Sequence, residues 1–182
     1  MSTSAERSPS PGPVPGPVPG LVPGLVPGLV LRPTDLDDPV ALRLTEEVQQ
    51  EYVTRYGGRD EMTVDRSDVL PPRGLFLVAE LDGEPVGCGG WRVHAPGTVE
   101  LKRMYVVPAA RRRGVAAALL AALERTAAAA GHTRVLLNSG DRQPEALALY
   151  ERAGYTPVAG YGAYAGMSGA VFLGRRLRDE ET

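Results

Sequence analysis

The stretch from Leu101 to Glu124 places the tightest constraint on how this chain can fold. An apolar, β-branched run over 101–107 predicts a strand, which Pro108 ends. Three arginines and Gly114 follow, and the alanine- and leucine-rich run after them predicts a long helix. A glycine-centred loop between strand and helix directs backbone N–H groups outward at the positive end of the helix dipole. The sequence therefore predicts a phosphate-binding turn at residues 111–116.

Composition indicates one globular domain with little net charge. The chain has 182 residues, of which 43% are hydrophobic and 23% are charged, and its net charge is -2. This balance excludes a polyanion-binding surface over the whole chain, so any basic site has to be local. No apolar run approaches the roughly 18 residues that span a bilayer, and no secretory signal is recognisable. Since Cys88 is the lone cysteine and histidines are few, we expect no disulfide framework, no metal site and a cytoplasmic location.

A short repeat occupies the beginning of the chain. Val-Pro-Gly-Leu recurs at Val18, Val22 and Val26, and its frequent prolines forbid regular helix or sheet. We therefore expect a disordered Pro/Gly/Val-rich tail over 1–28, with an adaptor-binding segment as the alternative. One folded domain is expected over residues 29–177, followed by a charged tail over 178–182.

Periodicity and turn residues predict alternating elements along the domain. Asp38 and Pro39 have the residue types of a helix N-cap and first helical position, and Asp82-Gly83 is a strong hairpin signal. The predicted fold class is α+β, with a mixed, mostly antiparallel sheet flanked by helices and a central parallel strand pair. We expect strands over 30–32, 75–81, 86–93, 99–107, 134–138, 155–158 and 170–177, and helices over 39–55, 114–130 and 144–153.

Two motifs in this chain resemble those of a known family. Arg111, Gly114 and Ala116 match a signature of Gln or Arg, two residues, Gly, one residue, then Gly or Ala. Residues 100–108 before the signature, and 147–155 after it, resemble that family's central strand and its later tyrosine-bearing helix. Over residues 29–177 the chain is identified as a member of the GNAT superfamily of N-acetyltransferases. The resemblance implies the acyl-CoA N-acyltransferase fold.

The resemblance also implies acetyl-CoA as the acyl donor, without a metal. Loop amides would hold the pyrophosphate, and the central strand, splayed by a bulge, would pair with the pantetheine arm. Many members carry Asn where this chain has Gln143, so that contact is left open, and Asn138 is an alternative. The implied cofactor-binding residues are Met104, Tyr105, Val106, Arg111, Arg112, Arg113, Gly114, Val115, Ala116, Ala117, Asn138 and Gln143.

Two catalytic residues follow from the resemblance. Tyr150 stands where many members have a tyrosine that protonates the departing thiolate, and the alternative is a tyrosine that only packs in the core. Glu100 stands where some members have the general base, and the alternative is a solvated edge carboxylate. An amide near Val106 would hold the oxyanion.

The resulting hypothesis is direct transfer of acetyl, in a ternary complex, to a primary amine of a small-molecule or amino-acid-like acceptor. A cofactor-binding sensor without turnover is the alternative, and an arginine-rich nucleic-acid patch is disfavoured because stacking aromatics are absent. We expect neither nucleic-acid nor membrane partners, and a homodimer is allowed because dimers are common in the family. The acceptor itself is not predicted, although Tyr52, Tyr56, Trp91, Tyr161 and Tyr164 are candidates for its pocket.

Overall fold

The computed structural model describes residues 26–177, which form one seven-stranded mixed sheet flanked by helices. The strand order is β1-β2-β3-β4-β5-β7-β6, and every neighbouring pair is antiparallel except β4 and β5. The predicted fold class is confirmed. The elements are β1 (Leu29–Pro33), α1 (Pro39–Tyr56), β2 (Gly74–Leu81), β3 (Glu84–Ala95), β4 (Thr98–Val106), α2 (Val115–Ala129), β5 (Arg134–Gly140), α3 (Pro144–Arg152), β6 (Thr156–Pro157) and β7 (Ala170–Arg176).

The first helix has the ends that its sequence predicts. The Asp38 side chain accepts a hydrogen bond from the Val40 amide at 2.8 Å, which satisfies one of the free donors at the helix start. Gly57 closes the helix in the left-handed region at φ 80°, and its N–H donates to the Val53 carbonyl. The helix therefore presents a fixed C-terminal end next to the sheet.

Alternation along β2 divides the core between the two faces of the sheet. Leu75 and Leu77 pack in one cluster with α2 and with Tyr150 of α3. Phe76 and Val78 point the other way and pack in a second cluster with α1. Helices α2 and α3 therefore pack on one face of the sheet and α1 packs on the other, with β4 between them.

The parallel pair opens into a wedge. Pairing between β4 and β5 is confined to residues 98–100 and 134–136. Beyond it, the register of β4 against β3 shifts between Cys88 and Gly90, and Arg103 adopts φ 57°. Such a bulge bends its strand and increases the local twist. The carboxyl-terminal half of β4 is thereby separated from β5.

Contacts of the domain begin before Leu29. Val26 packs in a cluster with Ala116 and Ala118, and the Gly28 carbonyl accepts from the Asp82 amide at 2.9 Å. Of the tails expected over 1–28 and 178–182, residues 1–25 and 178–182 lie outside the described residues. Within residues 26–177, no helix combines the length and apolarity needed to cross a membrane.

Candidate active site

The wedge between β4 and β5 forms a cleft of about 400 Å³. Its floor comes from both strands, and its walls come from the end of α1, the start of α3 and the segment before β7. This position, at the carboxyl ends of a parallel pair, is where ligands bind in α/β sheets. The lining residues are Tyr52, Tyr56, Gly58, Arg59, Asp60, Leu101, Lys102, Arg103, Met104, Leu137, Asn138, Ser139, Gly140, Asp141, Arg142, Gln143, Ala146, Tyr150, Tyr164, Met167, Ser168, Gly169 and Ala170.

Four of the predicted site residues line this cleft: Met104, Asn138, Gln143 and Tyr150. Tyr150 projects from α3 with 6% of its surface exposed, and its ring packs against that of Tyr155 at 5.6 Å. Its hydroxyl forms no hydrogen bond within residues 26–177. Burial raises the pKa of Tyr150 above its usual range, so the hydroxyl keeps its proton. The site thus contains a protonated donor without a partner in the described chain.

The predicted phosphate loop lies at the start of α2, outside the residues that line the cleft. The first helical hydrogen bond runs from the Ala118 amide to the Gly114 carbonyl at 3.0 Å. The amides of residues 112–117 have no backbone acceptor within the described residues, and no side chain caps the helix. Gly114 adopts φ 83°, which favours glycine. An uncapped helix start of this kind fits an anionic ligand.

The three arginines of the loop differ in their surroundings. Arg112 and Arg113 are exposed and form no ion pair within residues 26–177. Arg111 instead donates from Nε to the Val106 carbonyl at 2.9 Å and from Nη2 to Glu51 at 2.7 Å. Its own amide donates to the Pro108 carbonyl at 3.3 Å. Arg111 therefore fastens the loop to β4 and α1, and this geometry does not support the predicted contact with the cofactor.

Tyr105 and Val106 also lie outside the cleft lining. The Tyr105 hydroxyl donates to Glu47 at 3.3 Å, and its ring belongs to the core cluster beneath α1. The Val106 carbonyl is occupied by Arg111, as described above. The pairing of β4 with β5 ends at Glu100. From Leu101 onward, the backbone of β4 therefore has no partner strand on the side that faces β5. An extended ligand could therefore pair with this edge of β4 as an added strand would, and Met104 lines the cleft at this place.

The structure places Glu100 beside the cleft but not in its lining. Glu100 is only 1% exposed, and its carboxylate pairs with Arg92 at 3.0 Å and with the Lys102 ammonium at 2.8 Å. The alternative of a solvated edge carboxylate is therefore wrong. Lys102, its ion-pair partner, does line the cleft.

Three of the aromatic candidates for the acceptor pocket lie in the cleft, namely Tyr52, Tyr56 and Tyr164. Trp91 does not, because it is buried in the core and its Nε1 donates to the Thr126 hydroxyl at 3.0 Å. Tyr161 packs against His94 and Phe172 instead. The pocket interpretation of those two residues is therefore wrong.

Sequence reasoning missed the charged lining of the cleft. Asp60 and Arg103 form an ion pair of 2.9 Å, while Asp141 and Arg142 follow directly on β5. No sequence motif marks these charged positions. The one indication in the sequence was that Lys102 and Arg103 lie shortly before the signature at residues 111–116. Within residues 26–177 no group of three or more His, Cys, Asp or Glu side chains could hold a metal ion.

Comparison with known proteins agrees with this geometry. The model of the Acetyltransferase (GNAT) family matches residues 42–155. An "IAA acetyltransferase" of Azospirillum brasilense is 32% identical over 149 residues, covering 81% of this chain and 97% of the relative.

Solved structures share the fold. A candidate acyl-CoA N-acyltransferase of Klebsiella pneumoniae has a TM-score of 0.72 at 27% identity, covering 82% of this chain and 98% of that one. The PaiA N-acetyltransferase of Thermoplasma acidophilum, solved with coenzyme A, has a TM-score of 0.62 at 16% identity, covering 81% and 98%. The chain belongs to the GNAT family of acetyltransferases.

Proposed function

We propose that this protein is an acetyl-CoA-dependent N-acetyltransferase that acts on the primary amine of a small molecule. The observation that carries the proposal is an uncapped α2 start, whose amides have no acceptor within residues 26–177, next to a wedge between β4 and β5. Membership of an acetyltransferase family supports the reaction class, and neighbouring folds solved with coenzyme A or acetyl-CoA support the donor. The free, buried Cys88 supports a reducing, cytoplasmic location.

Named residues would hold the donor at the two ends of the site. The amides of residues 112–117 would bind its pyrophosphate, with Arg112 and Arg113 adding positive charge nearby. Met104 on β4, and Asn138 and Gln143 across the cleft, would hold the pantetheine arm. Bound acetyl-CoA supplies the acetyl group as an activated thioester. The single unpartnered strand edge of β4 would align the arm along the cleft.

Tyr150 is the proposed proton donor. Tyr150 lines the cleft, and its hydroxyl lacks a partner in the described chain and stays protonated because burial raises its pKa. A neutral hydroxyl is the form that can protonate a departing thiolate.

Glu100 is the proposed general base, although it does not line the cleft itself. Its carboxylate contacts the Lys102 ammonium at 2.8 Å, and Lys102 faces the cleft. A proton from the acceptor amine would therefore reach Glu100 through Lys102 or through a water molecule, rather than directly.

Direct attack in a ternary complex fits the nucleophiles of this chain better than an acetyl-enzyme. Cys88 is fully buried outside the cleft lining, and burial raises the pKa of its thiol to about 12. Neither histidine of the chain, His94 or His132, lines the cleft to activate Ser139.

The experiment is an assay of thiol release from acetyl-CoA with a panel of amines: L-lysine, L-phenylalanine, phenethylamine, cadaverine, spermidine and kanamycin. Amine-dependent release, with acetylated amine identified by mass spectrometry, is expected. The alternative of an acyl-CoA sensor predicts binding of acetyl-CoA by calorimetry without release in the presence of any of these amines.

A further inference from the structure

The charged residues around the cleft are predominantly cationic. Four lining side chains are basic and two are acidic. A site that binds polycations, such as polyamines, needs carboxylates free to receive ammonium groups. The basic residues are Arg59, Lys102, Arg103 and Arg142, and the acidic ones are Asp60 and Asp141. Glu46 pairs with Arg59 at 2.7 Å and Asp60 pairs with Arg103 at 2.9 Å, so Lys102 and Arg142 are the cations that bear on a ligand.

Both carboxylate oxygens of Asp60 already accept hydrogen bonds from the protein. Its Oδ2 accepts from Arg103 at 2.9 Å, and its Oδ1 accepts from the Tyr164 hydroxyl at 2.6 Å and from the Met62 amide at 3.0 Å. Both oxygens are thus committed to the walls of the cleft. Only Asp141 remains, and the next residue along the chain is the basic Arg142.

Lys102 carries positive charge that its neighbours do not fully neutralise. Its ammonium pairs with Glu100 at 2.8 Å, but the same carboxylate also pairs with Arg92 at 3.0 Å. Asp68 also contacts Arg92 at 3.4 Å, but it pairs with Arg73 at 3.3 Å as well, so three cations of this network share two carboxylates. The ammonium also donates to Asn138 Oδ1 at 3.4 Å, which leaves one of its three N–H groups for the cleft. At 7% exposure this charge is poorly screened by solvent.

Arg142 adds a second cation at the rim. Its guanidinium lies over the Tyr56 ring at 6.0 Å and donates to the Arg55 carbonyl at 3.0 Å. It forms no ion pair with a carboxylate within residues 26–177. A planar guanidinium with free N–H groups binds a carboxylate well.

From these charges we infer that the acceptor carries a carboxylate beside its amine, and that Lys102 binds this carboxylate at the cleft floor while Arg142 attracts it at the rim. The inference rests on the proposed function and specifies its acceptor class as amino acids. Positive charge near the acceptor also favours the neutral amine over the ammonium, and the neutral amine is the nucleophile. Polyamines and aminoglycosides are repelled by the same charge.

Matched acceptors that differ by the carboxylate test the inference. We compare kcat/KM for L-phenylalanine against phenethylamine, and for L-lysine against cadaverine. The amino acid of each pair is expected to be better by about tenfold or more, because a charged hydrogen bond is gained. In Lys102→Met, the ratio of kcat/KM for each amino acid to that for its matched amine should fall by a similar factor, whatever the change in overall rate.

Controls separate local from general effects. Arg32→Met removes an exposed cation on β1, which is paired with Glu80, and should leave the preference unchanged. Arg142→Met, an exposed position, gives a smaller loss of the same kind should Lys102→Met fail to fold. A wild-type enzyme that prefers phenethylamine, cadaverine or spermidine would overturn the inference.

A binding measurement keeps the inference distinct from the proposed function. Phenylpropanoate, which has the carboxylate and ring of phenylalanine without the amine, should bind the coenzyme A complex in calorimetry. Its affinity should fall by about tenfold in Lys102→Met. If no amine is acetylated but phenylpropanoate binds through Lys102, the proposed function fails while the carboxylate site stands. If acetylation occurs but phenylpropanoate does not bind, the carboxylate site fails.

Discussion

The Nη1 atom of Arg103 lies 2.9 Å from Oδ2 of Asp60, and this ion pair joins the bulge of β4 to the loop that follows α1. Asp60 is tied at the same time to α1, because Gln49 donates to its carbonyl at 3.4 Å and accepts from its amide at 2.9 Å. The Tyr164 hydroxyl brings in the segment between β6 and β7. Asp60 therefore joins several walls of the cleft, through its backbone as well as its carboxylate.

Asp60→Asn is expected to loosen these walls without disturbing the phosphate loop. The ion pair with Arg103 is lost, and a weakened charge-assisted hydrogen bond of this kind costs about 1–3 kcal/mol. Hydrogen exchange should accelerate at the amides of Glu61 and Met62, which are bonded to Tyr164 and Asp60. Glu46→Gln, which breaks an exposed pair with Arg59, is the control. Equal acceleration along α2 would contradict a local role.

Gly114→Val is expected to weaken coenzyme A binding more than Arg112→Ala does. Gly114 has φ 83°, and a Cβ there would lie 3.1 Å from Cγ2 of Val26, so both the backbone and the packing oppose a side chain. Strain of about 1–2 kcal/mol corresponds to roughly a tenfold rise in Kd. Arg112 is exposed, so its removal should raise Kd by less than about threefold at physiological salt.

Calorimetry with coenzyme A measures both variants. Gly114→Val combined with Val26→Ala separates the loop conformation from the contact with Val26, and it should remain impaired. If Arg112→Ala were the more damaging change, side-chain charge rather than backbone amides would hold the pyrophosphate.

Tyr150→Phe should lower kcat by about a hundredfold while leaving the Kd of coenzyme A unchanged, because a general acid contributes about that much. Burial raises the pKa of Tyr150, so its deprotonation should not lower kcat as the pH rises to about 10, the ordinary pKa of tyrosine. Tyr155→Phe is the matched control, since that hydroxyl donates to Glu124 at 2.9 Å away from the cleft lining. An unchanged kcat in Tyr150→Phe would make Tyr150 a core residue only.

Glu100→Gln should lower the free energy of unfolding by about 3 kcal/mol, because Lys102 and Arg92 lose a buried anion. Thermal or denaturant unfolding measures this loss. The base proposal adds a second expectation, namely that kcat/KM at neutral pH also falls by about a hundredfold in the variant. Lower stability with an unchanged kcat/KM would assign Glu100 to the ion pairs alone.

Local signals predicted the fold well because each was strong in itself. The Asp38 cap, the Asp82-Gly83 hairpin and the switch from strand to helix around Gly114 are properties of neighbouring residues. The edge strands were harder. Predicted over 155–158, β6 is only Thr156–Pro157, because the Tyr155 ring turns into the core against Tyr150.

The site was predicted only where a motif marked it. Gly114 and Tyr150 carry family signatures, whereas Asp60 meets Arg103 from a position 43 residues away along the chain. Arg111 resembled a phosphate ligand in sequence, yet in the fold it reaches Glu51 on α1. Contacts between residues so far apart along the chain depend on how the helices and strands pack, and the periodicity of the sequence does not predict them.

The most direct test of the account is to mix the intact protein with acetyl-CoA and then add an amine acceptor. Before addition, the mass of the protein should be unchanged, because attack is direct and Cys88 is buried. After addition of L-phenylalanine, free thiol and acetylated acceptor should appear in equal amounts. Binding of acetyl-CoA without thiol release, with this acceptor and with every amine of the panel, would contradict the account.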